Sequence, residues 1–173
     1  MIDDDPWSIF IRFNVPNQTI TNSPSIIDCM DGGWGKRPLR PYIASTTGNV
    51  FDLQVYAEQT RVARVDVTMD EWHNAIFQRT EAGVIDVYLD GVLIGSDAPS
   101  DPSTSQPNHF RAPGIAYVDG YQFPMSCATV AQSQRVLTGD EIATLETKSP
   151  EPIADNFSTP IYMIPDLGLG VID

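Results

Sequence analysis

The residues best suited to bind a ligand fall in one stretch. Asp31-Gly32-Gly33-Trp34-Gly35-Lys36-Arg37-Pro38-Leu39-Arg40-Pro41-Tyr42 puts Trp34 and Tyr42 beside Lys36, Arg37 and Arg40, in a chain with only ten Lys and Arg in all. Aromatic faces stack on sugar rings, and Arg beside Trp or Tyr is equally the composition of a protein–protein hot spot. The same residues would be structural if Trp34 closed one end of a β-sandwich and the cations balanced local acids. All three readings stand at this point, so these five residues are candidates for a ligand or interface loop. A phosphate-binding loop is excluded, because there is no Walker pattern and no strand–helix unit surrounds the glycines.

Acid–base chemistry is poorly provided for. A glycosidase needs two carboxyl groups about 5–5.5 Å apart for retention or about 6.5–9.5 Å apart for inversion. Glu81, Asp86 and Asp90 fall in a turn, a strand and a hairpin, and no run of closely alternating acids occurs. His73 and His109 are the only histidines, so a Ser-His-Asp or Cys-His site would have to use one of them. His73 begins a strand, where a structural role is expected, and His109 lies in a proline-rich segment with no partner near it in sequence. Calcium takes about six to eight oxygens, and neither Asp28 with Asp31 nor Asp97 with Asp101 shows the dense spacing of a calcium loop. Asp3-Asp4-Asp5 reads as a solvated terminus, and no Cys/His cluster offers a zinc site. The expectation is no catalytic residue, no metal and no cofactor.

Periodicity gives the elements that would position these residues. Over 7–15 the odd positions read Trp, Ile, Ile, Phe, Val, the period-2 pattern of a half-buried strand. Apolar residues also alternate at 51, 53, 55 and 57 and at 63, 65 and 67, which predicts two more strands. Another strand is expected over 73–79, followed by a turn at Glu81-Ala82-Gly83. Asp90-Gly91 between apolar runs at 84–89 and 92–95 is the sequence of a two-residue type I′ hairpin, in which both central residues need positive φ. Residues 97–114 hold four prolines, and a long surface loop with no regular element is expected there. Strands are expected again over 115–118 and 123–132. One short helix is expected near 138–147, where Thr138 and Glu141 have the spacing of a capping box and Ile142 and Leu145 form an apolar stripe. Residues 148–173, with Phe157, Ile161, Tyr162, Ile164 and Leu167 among prolines and glycines, read as an extended apolar arm that must dock on something. The predicted architecture is all-β: a two-sheet antiparallel sandwich over 1–147 and the arm over 148–173.

Composition narrows the task. The 173 residues carry a net charge of −13, which repels nucleic-acid phosphates and anionic lipid, and no apolar run approaches the roughly 20 residues of a membrane span. The acidic start, MIDDDPWSIF, lacks the basic and apolar regions of a secretory signal, and Met1 reads as a genuine or engineered start. Cys29 and Cys127 are then expected as two partly buried thiols, with a disulfide the alternative in an oxidising compartment.

Glu71-Trp72-His73 followed by Ile85-Asp86-Val87-Tyr88-Leu89-Asp90-Gly91-Val92-Leu93-Ile94-Gly95-Ser96 resembles the laminin-G-like, concanavalin-A-like lectin-glucanase jelly-roll family. So does Arg135-Val136-Leu137-Thr138-Gly139-Asp140-Glu141-Ile142-Ala143-Thr144-Leu145, and with the opening strand the resemblance covers about residues 7–147. It implies two antiparallel sheets packed face to face with functional loops at one rim. It also implies a further strand preceding the one at Trp7, a place the C-terminal arm is positioned to fill by strand addition in its own or another subunit.

Such modules are commonly adhesive or carbohydrate-binding. Taken with the absent export signal and the apolar arm, the sequence points to a non-catalytic structural or adhesion module of a bacteriophage virion, a capsid decoration or a head- or tail-fibre component. Its partners would be other virion subunits or copies of itself, joined through the arm, with a cell-surface glycan as a further ligand. The alternative is a free-standing lectin-like module, and a glycoside hydrolase ranks third.

Overall fold

The computed structural model describes residues 6–20, 23–30, 39–57, 59–99, 109–111 and 125–147. In chain order these form β1 (Trp7–Asn14), β2 (Asp28–Met30), β3 (Arg40–Thr47), β4 (Val50–Ala57), β5 (Thr60–Thr68), β6 (Trp72–Arg79), β7 (Ile85–Leu89), β8 (Val92–Asp97), β9 (His109–Arg111), β10 (Ser126–Ser133) and α1 (Gly139–Thr147). A five-stranded sheet in the order β10-β1-β6-β7-β8 faces a three-stranded sheet, β3-β4-β5, and β2 pairs with β9 in a short ribbon. Every pairing is antiparallel. The expected all-β sandwich with one short helix is the observed fold.

The alternation read from the sequence does the packing. Trp7, Ile9, Ile11, Phe13 and Val15 are buried against Phe51, Leu53, Val55 and Ala57 of the opposing sheet. Phe13 meets Phe51 edge-on, with ring centroids 6.5 Å apart and planes at 61°, a contact worth about 0.5–1.5 kcal/mol beyond the area it removes from water. Gly95 marks where the sheets approach most closely: a Cβ there would lie 2.4 Å from the Val62 carbonyl oxygen and 2.7 Å from the Ala63 Cβ. The hairpin joining β7 and β8 turns at Asp90 (φ 47°) and Gly91 (φ 72°), as its sequence predicts.

The outer face of the five-stranded sheet carries the helix. Phe10, Ile76 and Ala131 lie beneath Leu137, Ile142 and Leu145 in a second, smaller core. Ser8 Oγ donates to the Arg135 carbonyl at 2.7 Å, and the Leu137 amide donates to Gln78 Oε1 at 3.2 Å, which ties the helix approach to the sheet. The capping box is closed in both directions. The Thr138 amide donates to Glu141 Oε2 at 2.8 Å, and the Glu141 amide donates to Thr138 Oγ1 at 3.3 Å. Arg135 forks onto the same carboxylate, and Glu141 is held down at about 2, first by Arg135 and then by the Thr138 amide.

Two expectations change. A strand, β9, lies within the 97–114 stretch, in the proline-free interval between Pro107 and Pro113, where it pairs with β2. β3 begins inside the candidate loop, placing Arg40 and Tyr42 on a strand, and includes Pro41, which an edge strand tolerates because its missing N–H faces away from the ladder. β1 is an interior strand, between β10 and β6. The expected strand over 115–118 and the arm over 148–173 lie outside the described residues, as does the proposed domain boundary. Cys127 is a free thiol, pushed up to about 12 by burial. Among the described residues no helix is long and apolar enough to cross a membrane.

Candidate ligand face

The three-stranded sheet presents one face to the core and the other outward. Gly48 (φ 63°) occupies the first central position of the β3–β4 turn, a conformation glycine adopts without steric cost. The turn fixes the register so that Arg40 pairs with Tyr56, Tyr42 with Gln54 and Ser45 with Asp52, and a bulge after Ile43 absorbs one residue. On the other side of β4, Tyr56 pairs with Arg61, Gln54 with Arg64 and Asp52 with Asp66. Pro41, Ile43, Phe51, Leu53, Val55 and Ala63 point inward and are buried. Their neighbours Arg40, Tyr42, Asp52, Gln54, Tyr56 and Arg64 must therefore share the outer face.

Tyr42 and Tyr56 stand side by side on that face, ring centroids 5.7 Å apart and planes at 33°. The Arg40 guanidinium carbon lies 4.8 Å from the centre of the Tyr42 ring and 5.9 Å from that of Tyr56, both within cation–π range. A hydrogen-bonded chain runs away from the rings. The Tyr42 phenol donates to Gln54 Oε1 at 3.2 Å, Gln54 Nε2 donates to Asp52 Oδ2 at 2.8 Å, and Arg64 Nε donates to Asp52 Oδ1 at 3.1 Å. Burial and the neighbouring Tyr56 phenol push Tyr42 up from its ordinary value, so it stays a neutral donor through the physiological range. The arrangement combines two aromatic surfaces, both half-buried, with donors and acceptors held in place by one another.

Of the five loop candidates, Arg40 and Tyr42 are part of this face, while Trp34, Lys36 and Arg37 lie outside the described residues, as do Phe157, Ile161, Tyr162, Ile164 and Leu167 of the arm. Tyr56, Gln54, Asp52 and Arg64 were not singled out from the sequence. The alternation over 51–57 already places Tyr56, Gln54 and Asp52 on one side of a strand; the partner strand at Arg40–Thr47 is what the loop reading of residues 31–42 lacks.

The other candidates are placed elsewhere. His73 is buried, with Nδ1 2.7 Å from Asp90 Oδ2 and Nε2 3.0 Å from the Thr68 carbonyl oxygen, and its ring lies 5.9 Å from that of Phe13. Nε2 also faces Thr68 Oγ1 at 3.2 Å, so both ring nitrogens are engaged by groups of the fold itself. Asp86 accepts a hydrogen bond from Ser96 Oγ at 2.6 Å across β7 and β8, and Asp90 accepts from the Asn74 amide of β6, so both acids hold strands together. His109 pairs with Met30 in the β2–β9 ribbon. Asp52 and Asp66 are the one cross-strand carboxylate pair on the candidate face, and both Asp52 oxygens already accept hydrogen bonds. Among the described residues no group of three His, Cys, Asp or Glu is placed to hold a metal ion.

No protein-family model matches this chain, and no curated protein matches it in sequence. Its fold is similar to that of a Bacteroides ovatus protein thought to bind carbohydrate, at 14% identity and a TM-score of 0.58, over 82% of this chain and 40% of the other. It is similar to domain 4 of AbnA, a GH43 extracellular arabinanase from Geobacillus stearothermophilus solved with arabinotriose, at 16% identity and a TM-score of 0.52, over 82% and 66% of the two chains. A Trypanosoma rangeli sialidase in complex with sialic acid is similar at 12% identity and a TM-score of 0.62, over 83% of this chain and 23% of the sialidase. The chain thus spans less than two thirds of the length of each. At such identities the likeness shows the fold alone, a two-sheet antiparallel β-sandwich.

Proposed function

We propose that this chain is a carbohydrate-binding module of the laminin-G-like, concanavalin-A-like kind, which binds through the outer face of sheet β3-β4-β5 and carries out no catalysis. The observation that carries the reading is the pair Tyr42 and Tyr56, 5.7 Å apart on one face and adjoined by the Gln54–Asp52 hydrogen-bond chain. Phenol rings take up the C–H faces of sugars, and the fixed amide and carboxylate take up hydroxyls, a mostly apolar contact with a few aimed polar groups. The fold's likeness to carbohydrate-binding domains supports the same reading. The virion reading rests on the arm at 148–173 and finds no support in these similarities. It takes second place, as assembly through the arm of a module that binds glycans.

A glycan array probed with the purified chain tests the proposal. Binding to a limited set of saccharides, with no hydrolysis products on prolonged incubation, is the expected result. Hydrolysis that disappears in Asp52→Asn or Asp66→Asn would replace the binding module with a glycosidase.

A further inference from the structure

The candidate face has a direction of charge along its strands. In its first row Arg40, Tyr56 and Arg61 lie on adjacent strands, so a cation flanks the Tyr56 position on either side. The second row is Tyr42, Gln54 and Arg64, and the third is Ser45, Asp52 and Asp66, with two carboxylates. Tyr56 and Asp52 are four residues apart on β4, about 13 Å along an extended strand, which exceeds the roughly 8 Å screening length of physiological salt. The two ends therefore act as separate electrostatic environments. Arg64 is committed to the anionic end through Asp52. Arg61 is exposed, and Arg40 lies over the tyrosine rings, so both act at the other end. Only ten basic residues occur in a chain of net charge −13, and three of them stand on this one face.

We infer that the saccharide bound by this face is acidic, its carboxylate or sulfate group lying at the Arg40–Arg61 end while its rings rest on Tyr56 and Tyr42. The inference rests on the carbohydrate reading and adds the ligand class to it. Guanidinium groups match planar carboxylate and sulfate oxygens with paired donors, and such charge-assisted bonds are about twice as strong as neutral ones. An anionic ligand approaching a chain of this net charge is repelled elsewhere, so the local arginines decide where it settles and which end of it leads. The hydroxyl-bearing remainder then extends toward Gln54, whose amide donates and accepts, and Asp52, whose carboxylate accepts and would repel a second anion.

Calorimetric titration of the full chain with charged and uncharged partners of the same sugar tests this. The pairs are sialyllactose with lactose, oligogalacturonate with its carboxyl-reduced form, and a sulfated oligosaccharide with its desulfated form. At least one acidic member should bind about tenfold more tightly than its neutral partner, the equivalent of one charge-assisted hydrogen bond. Arg61→Ala, and Arg61→Gln as a second variant, should bring that affinity down to the neutral level with the unfolding temperature unchanged. Which pair shows the difference separates carboxylate from sulfate. Equal or tighter binding of the neutral members overturns the acidic assignment and leaves the carbohydrate reading standing, whereas binding of none of the sugars, acidic or neutral, overturns both. An acidic preference that survives Arg61→Ala and Arg40→Ala overturns the placement of the anion.

Discussion

The His73 Nδ1 lies 2.7 Å from Asp90 Oδ2 and joins the first residues of β6 to the tip of the β7–β8 hairpin. Asp90 uses its other oxygen to accept from the Asn74 amide at 2.8 Å, so a residue in a positive-φ turn is held from two sides. Burial by itself would push the His73 imidazole down, but the hydrogen bond to Asp90, the charge of that carboxylate and the Thr68 carbonyl together raise it above 6.5. Burial likewise opposes ionisation of Asp90, and hydrogen bonds from His73 and the Asn74 amide overcome it, leaving Asp90 below 3.8.

The pH dependence of stability follows with a definite sign. A raised His73 contributes stability that is complete below about 6.5 and is lost as pH rises through its folded value. A lowered Asp90 contributes stability that is complete above about 3.8 and is lost as pH falls through its own folded value. The pair therefore stabilises most between those limits, and Asp90→Asn, which tolerates the turn, should flatten the loss on the alkaline side. Urea midpoints of the two proteins from pH 4 to pH 9 check this; parallel profiles would contradict it.

Gly95→Ala should destabilise by about 1–3 kcal/mol, the usual cost of overpacking. The added methyl would meet the Val62 carbonyl oxygen at 2.4 Å and the Ala63 Cβ at 2.7 Å, and neither belongs to a flexible side-chain end that can swing away. Equilibrium denaturation reads the cost directly, and an unchanged midpoint would mean that β8 and β5 are less closely apposed.

Glu141→Ala removes the acceptor that the Thr138 amide and the Arg135 guanidinium share, and should cost about 1 kcal/mol through the lost cap. Far-UV circular dichroism and amide exchange should locate the loss in Gly139–Thr147. In the unmodified chain the same contribution is lost as pH falls from 4.5 through about 2, because Glu141 is ionised in the fold well below its ordinary range.

Much of this molecule is legible in its sequence where one local rule decides. The odd positions from Trp7 to Val15 are all apolar, Asp90-Gly91 permits essentially one turn, and Thr138 with Glu141 fixes a helix start, so the core strand, the hairpin and α1 fall where expected. The candidate site was half legible for a physical reason. Arg40 and Tyr42 are conspicuous by type, but their partners Tyr56, Gln54 and Arg64 come from two other strands, and pairing register is a long-range property that a bulge after Ile43 and another at Tyr56 shift further. β3 lies at an edge of its sheet, where Pro41 is tolerated.

The measurement that tests the account most directly is calorimetric titration of the tightest array ligand into the unmodified chain, Tyr42→Ala and Tyr56→Ala, with thermal unfolding of each as the control for folding. Each variant should stay folded and bind at least about tenfold more weakly, because each loses one stacked ring. Undiminished binding by both folded variants, or no saccharide bound by the unmodified chain, would contradict a carbohydrate-binding face on β3-β4-β5.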